Sequence, residues 1–329
     1  MNRGSNKLEE KWRLIEGELI EVEQRLQQII ETAGPEIAEV SSYIFNGSGK
    51  RMRPTLFLLA SYHPQSRLFP YVDAAAGLEL MHTASLLHDD VIDQASTRRG
   101  KDTVHIKWNN KISVLNGDYL LSQAFKMLVS YRNWRLMDII VDIVQNMTEG
   151  EIEQAFTTTG VSDLEERYFK WIGKKSAYFF AGCCQAGSLL GGGDSEEQKN
   201  WSELGYNLGM AFQLIDDLLD YTGKRELTGK PVYGDLNNRV ITLPLIRTIN
   251  LSRRDDSIHR LLDHNQASDN QLSEVLQAVL DSDGPEYTYR KAQEYINKAE
   301  DVIKSFHGIN EDVKTALKEL IRDVLNRNK

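Results

Sequence analysis

Cysteine is nearly absent from this chain. The only two in 329 residues, Cys183 and Cys184, are neighbours. Adjacent thiols cannot staple distant segments, and two of them without further ligands make no zinc site. They read as small buried hydrophobes in a helix, which fits a reducing cytoplasm. Proline is scarce too, with seven residues. No Pro/Gly/Ser-rich stretch reads as a linker, so one domain over 1–329 is expected. No run approaches the ~20 apolar residues of a membrane span. Met1 to Lys7 leads into a charged helix, not an apolar signal segment. Positive charge is in deficit, with 39 Lys+Arg against 48 Asp+Glu and a net charge of −9. That disfavours non-specific nucleic-acid binding but leaves an anionic substrate open, because a metal ion and local cations set the field at a site. Period-two alternation and βαβ spacing are also missing. Almost every segment has a helical period, which predicts an all-α bundle with a central cleft and no sheet.

The chain does carry a pair of acidic clusters. The first runs His82-Thr-Ala84-Ser85-Leu-Leu-His-Asp89-Asp90-Val-Ile-Asp93 and is followed by Arg98-Arg99. On a helix Asp89 and Asp93 share a face, with Ser85 and His82 one and two turns below. Two ionised carboxylates stacked in this way call for a cation between them. Carboxylate oxygens suit Mg²⁺, which is often held by one or two carboxylates plus substrate phosphates. Arg98 and Arg99 match phosphate geometry as bidentate donors. A lone cluster would read as a solvated helix end. The pattern recurs, however, at Gln213-Leu-Ile-Asp216-Asp217-Leu-Leu-Asp220. Apolar residues before and between the acids bury both helices, so two helices each lift an acid pair to one rim. Facing rims would hold several Mg²⁺ ions and clamp a diphosphate.

With Gly49-Lys50-Arg51-Met52-Arg53-Pro54, Lys175-Ser176 and the loop Gly229-Lys230-Pro231 added, the chain resembles the trans-isoprenyl diphosphate synthases. Within them it is most similar to the bacterial long-chain polyprenyl synthases, especially the catalytic subunit of heptaprenyl diphosphate synthase. The resemblance runs from about Gly47 to Leu245. It implies a homodimer, or a heterodimer with a small regulatory subunit, and Mg²⁺ at up to about three ions per site. It implies a cytoplasmic enzyme that touches membranes transiently for product release, with a menaquinone side chain as the product's destination. The metal ligands would be Asp89, Asp93 and Asp216, with Asp90, Asp217 and Asp220 in support. Lys50, Arg53, His82 and Arg99 would bind isopentenyl diphosphate. Arg98, Lys175, Ser176, Gln213 and Lys230 would serve the allylic diphosphate. Many relatives have glycine where this chain has Arg239, which leaves the shape of that loop open.

The chemistry implied is ionisation of an allylic diphosphate, attack by the isopentenyl double bond, and loss of a proton to the departing diphosphate. Ala84 and Ser85, five and four residues before Asp89, are small. By analogy with the family, bulky aromatics there stop elongation early, so a long product is expected, with Phe125, Met127 or Tyr131 as a deeper floor. Short-chain farnesyl or geranylgeranyl synthesis is disfavoured on this ground. A terpene cyclase would not need the isopentenyl diphosphate pocket, and a non-catalytic subunit should have lost its aspartates.

The remaining stretches are read locally. Leu8 to Thr32 is a charged helix, and a second follows Pro35. Thr55 to Ser61 begins after Pro54, with Lys50 and Arg53 projecting from one side. Tyr71 to Asp93 is one long helix, and Gly100 to Thr103 is a loop. Asp118 in Ser113–Tyr131 either orients a basic neighbour or is a surface acid. Glu151 and Glu153 form an acid-rich end of Leu136–Phe156, either facing the cleft or exposed. Asp163 caps a helix to Ile172, and Lys174-Lys175 opens an apolar helix to Leu190. Asp194 or Ser195 caps the helix of the second cluster. The tail adds helices at Ile258–Leu262, Leu272–Leu280, Tyr287–Phe306 and Val313–Leu325.

Overall fold

The computed structural model describes residues 14–45, 49–62, 71–157, 163–223, 234–237, 240–251 and 269–326. Lys230, Arg239, the start of the first predicted helix and the helix predicted at Ile258–Leu262 lie outside them. Helices run in the order α1 (Glu16–Glu31), α2 (Pro35–Phe45), α3 (Met52–Ser61), α4 (Val72–Ile92), α5 (Val104–Lys107), α6 (Asn110–Val129), α7 (Trp134–Ala155) and α8 (Leu164–Ile172). A π-turn, Gly173–Ala177, joins α8 to α9 (Tyr178–Leu190). Then come α10 (Ser195–Thr222), α11 (Gly234–Asn237), α12 (Leu243–Leu251), α13 (Asp269–Asp281), α14 (Gly284–Ser305) and α15 (Glu311–Leu325). No helix among the described residues is long and apolar enough to cross a membrane.

α4 and α10 are the central helices, and both are apolar on most faces. α4 packs on α6, α1 and α3; α10 packs on α9 and α14. One core gathers α1, α3, α4, α6 and α9 with the N-terminal half of α10. A second gathers α8, the C-terminal half of α10, α12 and α13. The close α9–α10 crossing depends on Gly205, where a Cβ would come 2.5 Å from the Phe180 carbonyl oxygen. Side-chain caps start α6, α7, α10 and α15. Asn109 accepts from the Ile112 amide at 2.9 Å, and Asn133 from the Leu136 amide at 3.2 Å. Asp194 and Glu197 form a full capping box on α10.

Four local expectations change. The predicted Gly100–Thr103 loop contains a two-residue antiparallel hairpin, β1 (Thr97–Arg98) with β2 (Lys101–Asp102), so the bundle is not wholly without sheet. Arg99 (φ 52°) and Gly100 (φ 75°) form its turn, as the twist of a tight hairpin requires. α3 starts at Met52, and Arg51 before it sits in the left-handed region at φ 48°. The three-residue helical spacing therefore does not relate Lys50 to Arg53. Asp163 occupies the position before α8 but makes no side-chain cap; its carboxylate pairs with Arg167 at 3.4 Å. Lys174 and Lys175 lie in the π-turn, not at the start of an α-helix.

Candidate active site

Asp89 and Asp90 lie in the last turn of α4, and Asp93 is its C-cap residue. The helix phase separates their roles. Asp90 is only 3 % exposed and accepts from Arg98, whose Nε and Nη2 both lie 2.7 Å from its Oδ1. It fixes the hairpin that carries Arg98 and Arg99. Asp89 and Asp93 are half-buried instead. Burial pushes the Asp89 carboxyl up to about 7, with Glu151 and Asp93 adding repulsion and Lys175 and Arg98 opposing it. Asp93 is raised for the same first reason, burial, with Glu151 again repelling.

The second cluster repeats this division. Asp217 is 3 % exposed and accepts from Tyr168 Oη at 2.5 Å and Gln213 Nε2 at 2.8 Å. Burial nonetheless raises its pKa. Asp216 and Asp220 stay half-buried, and Asp220 accepts from the Gly234 amide at 3.2 Å. The π-turn links the two clusters. Ser176 Oγ donates to Gln213 Oε1 at 2.6 Å, which continues to Asp217. Its neighbour Lys175 ion-pairs with Glu151, lies 3.1 Å from Gln154 Oε1, and is attracted by Asp89 and Asp93. The π-turn approaches α7 this closely because residue 150 is glycine. A Cβ there would fall 2.6 Å from the Lys175 amide nitrogen.

Beside the first cluster lies a cavity of about 100 Å³ lined by Arg51, Glu79, His82, Arg98, Arg99 and Lys101, among others. Burial and then four surrounding arginines, Arg53, Arg98, Arg99 and Arg51, hold His82 well below its usual pKa. His82 is therefore a neutral ring in a cationic wall. Arg53 stacks its guanidinium 4.8 Å from the centroids of both Phe179 and Phe180, and its Nε has no hydrogen-bond partner. Lys50 and Arg99 are exposed near the surface. Ala84 is buried, and half-buried Ser85 donates back to the His82 carbonyl at 2.9 Å. Of the deeper residues, Met127 is buried, Phe125 is half-buried, and Tyr131 Oη accepts from the Ala74 amide at 3.2 Å.

The sequence reading passed over three residues of this region. Arg51 bridges Glu23 of α1 to Glu79 of α4, the latter at 2.8 Å. Glu79 had a signal, a single acid within an apolar helix, since a buried carboxylate needs a partner. Tyr168 had none. Asp118 does meet a basic neighbour, lying 3.4 Å from His88 Nε2. Glu153 pairs outward with Lys174 and Lys170.

The carboxylate donor set suits a hard divalent cation and not zinc. Asp89, Asp93 and Glu151 face Lys175, with Arg98 acting from its pairing with Asp90, and a bound cation would relieve the desolvated acids. Among the described residues no three potential ligands gather around one point. For Mg²⁺ one or two carboxylates completed by phosphate and water are enough.

A family model for polyprenyl synthetase matches residues 34–279. The chain is 31 % identical over 293 residues to heptaprenyl diphosphate synthase component 2 of Geobacillus stearothermophilus, covering 89 % of this chain and 91 % of that one. It is 36 % identical to octaprenyl diphosphate synthase of Escherichia coli, covering 80 % and 82 %. Among solved structures, it resembles a polyprenyl synthase from Caulobacter crescentus complexed with calcium and isoprenyl diphosphate. The TM-score is 0.90 at 30 % identity, over 97 % of each chain. Heptaprenyl diphosphate synthase from Staphylococcus aureus gives a TM-score of 0.87 at 28 % identity, over 95 % and 98 %. With two aspartate-bearing helices, a lysine turn between them and an arginine-walled cavity alongside, the chain belongs to the polyprenyl synthetase family and is a chain-elongating prenyltransferase.

Proposed function

We propose that this chain, as one catalytic domain, condenses an allylic diphosphate such as farnesyl diphosphate with several isopentenyl diphosphates to a long all-trans polyprenyl diphosphate. The observation that carries the reading is the shared division of the two clusters. In each, the middle aspartate is buried and tied down, while the flanking aspartates stay half-buried at a helix end. Asp89, Asp93 and Asp216 would hold Mg²⁺. When bound, the ions supply Lewis-acid neutralisation of the leaving diphosphate. Lys175 and Arg98 bind the allylic diphosphate, and Ser176, whose hydroxyl donates to Gln213 Oε1, turns that proton to the diphosphate when it binds. Lys230 belongs with this group. Lys50, Arg53, His82 and Arg99 bind isopentenyl diphosphate and hold its double bond beside the allylic carbon, which is catalysis by proximity. Neutral His82 is a hydrogen-bond donor there. The proton lost after the condensation goes to the departing diphosphate.

Small Ala84 and Ser85 below Asp89 support a long product. Association with a second subunit, a copy of this chain or a smaller partner, is supported by exposed apolar side chains on α6 and α7, such as Leu115, Val141 and Ile152. We place the enzyme in the cytoplasm, with transient membrane contact when the apolar product leaves. The test is substitution by cluster position. Asp89→Asn or Asp216→Asn should abolish prenyl transfer while leaving the thermal melt near wild type. Wild-type turnover in Asp89→Asn would refute the ligand assignment.

A further inference from the structure

The cations beside the first acidic cluster already have carboxylate partners. Arg98 is bound by Asp90, and Lys175 by Glu151 with Gln154 alongside. The Lys175–Glu151 pair is not needed to fasten the π-turn to α7, because the next-door lysine does that from the outside. Lys174 Nζ lies 2.7 Å from Glu149 Oε2 and 2.9 Å from Glu153 Oε1. Lys170 adds a further bond to Glu153 at 3.2 Å. The inner pair has a different setting. The Lys175 and Glu151 side chains are 21 % and 19 % exposed, and both act electrostatically on Asp89 and Asp93. Glu151 thus holds the ammonium whose field also acts on Asp89 and Asp93, and the other cation acting on them, Arg98, is tied to Asp90. A diphosphate arriving alone adds more negative charge and must compete with Glu151 for the lysine. Divalent cations arriving with it neutralise Asp89 and Asp93 and bring the diphosphate within the reach of Lys175.

We propose that Glu151 is a positioning residue that keeps Lys175 engaged until a diphosphate arrives together with divalent cations, so that metal-free diphosphate is turned away. The proposal rests on the reading of Lys175 as an allylic-diphosphate donor. It gives the α7 acid a role in the order of binding, apart from any role as a metal ligand.

The experiment is calorimetric titration of the full chain with inorganic pyrophosphate, in Mg²⁺ and in EDTA. Wild type should bind pyrophosphate at least about a hundredfold more weakly in EDTA, since removing the cations leaves both acid pairs facing the anion. Glu151→Gln should strengthen metal-free binding by about tenfold or more and narrow that ratio, and Glu151→Asp, which keeps the charge, should preserve it. A ratio unchanged in Glu151→Gln would overturn the proposal. Lys175→Gln separates the two layers. If it leaves Mg²⁺-pyrophosphate binding intact, the lysine assignment fails. If it weakens binding and Glu151→Gln still shows the wild-type ratio, only the role of Glu151 fails. Wild-type protein gives a second readout that needs no folded variant. Pyrophosphate should protect Lys175 from acylation, read by mass spectrometry, only when Mg²⁺ is present. Protection in EDTA would contradict the proposal.

Discussion

Gly150→Ala is a one-carbon change that should uncouple activity from stability. The new Cβ would meet the Lys175 amide nitrogen at 2.6 Å, and the Lys174 Cβ and Lys175 Cα at 3.0 Å. The obstacle is backbone, so a rotamer change cannot relieve it. The π-turn or α7 must move by about 0.8 Å to reach ordinary contact, a strain of about 1–3 kcal/mol by the usual cost of overpacking. Alanine in a helix interior returns about 1 kcal/mol relative to glycine. The net loss of stability is therefore small, below about 2 kcal/mol. The loss of rate is not small, because the displaced segment carries Lys175 and Ser176. A shift approaching 1 Å at a positioning group can cost up to ~10²-fold, so kcat should fall by about 10- to 100-fold. Urea unfolding gives the stability, and incorporation of labelled isopentenyl diphosphate gives the rate. Gly17→Ala is the control, since nothing lies within 4 Å of its Cβ, and it should leave the rate unchanged. A Gly150→Ala enzyme within about twofold of wild-type kcat would refute the argument that the glycine sets the lysine's position.

Four further outcomes follow from the same geometry. Ser85→Phe should shorten the product, sized as dephosphorylated alcohols; an unchanged length would refute the tunnel assignment. Tyr168→Phe removes the 2.5 Å donor to buried Asp217 and should cost about 1–3 kcal/mol in urea unfolding. It should also lower kcat more than KM, because Asp217 adjoins the proposed metal ligand Asp216 without being a ligand itself. Glu79→Leu strips the buried partner from Arg51 and leaves it only the more exposed Glu23, so it should destabilise by about 1–3 kcal/mol. Its KM for isopentenyl diphosphate should rise while the KM for the allylic substrate holds. Chelation by EDTA should abolish incorporation, and added Mg²⁺ should restore it.

The all-α fold and the acidic helix ends were legible because both rest on local pattern. Helical period, buried apolar faces and a repeated Asp-Asp-x-x-Asp spacing can be read from neighbours in sequence. The cap of α10 was legible for the same reason, since Asp194 directly precedes the helix, whereas the Asn109 and Asn133 caps were passed over because the sequence reading starts α6 and α7 later, at Ser113 and Leu136. The hairpin at Thr97–Asp102 escaped because only two residues pair on each side, too few for an alternation to register. The π-turn escaped because its extra residue is set by contact with Gly150, over twenty residues away. The division of labour between Asp89 and Asp90 needed the phase of α4 against the hairpin, and that of Asp217 needed Tyr168 on another helix. Arg51 was hidden by its left-handed backbone, which breaks the spacing that linked Lys50 with Arg53.

The most direct test of the account is an assay of the purified chain with farnesyl diphosphate, labelled isopentenyl diphosphate and Mg²⁺, with an EDTA control and chromatographic sizing of the dephosphorylated products. The account predicts long, Mg²⁺-dependent polyprenols. A product that stops after one condensation, or incorporation that persists in EDTA, would contradict it.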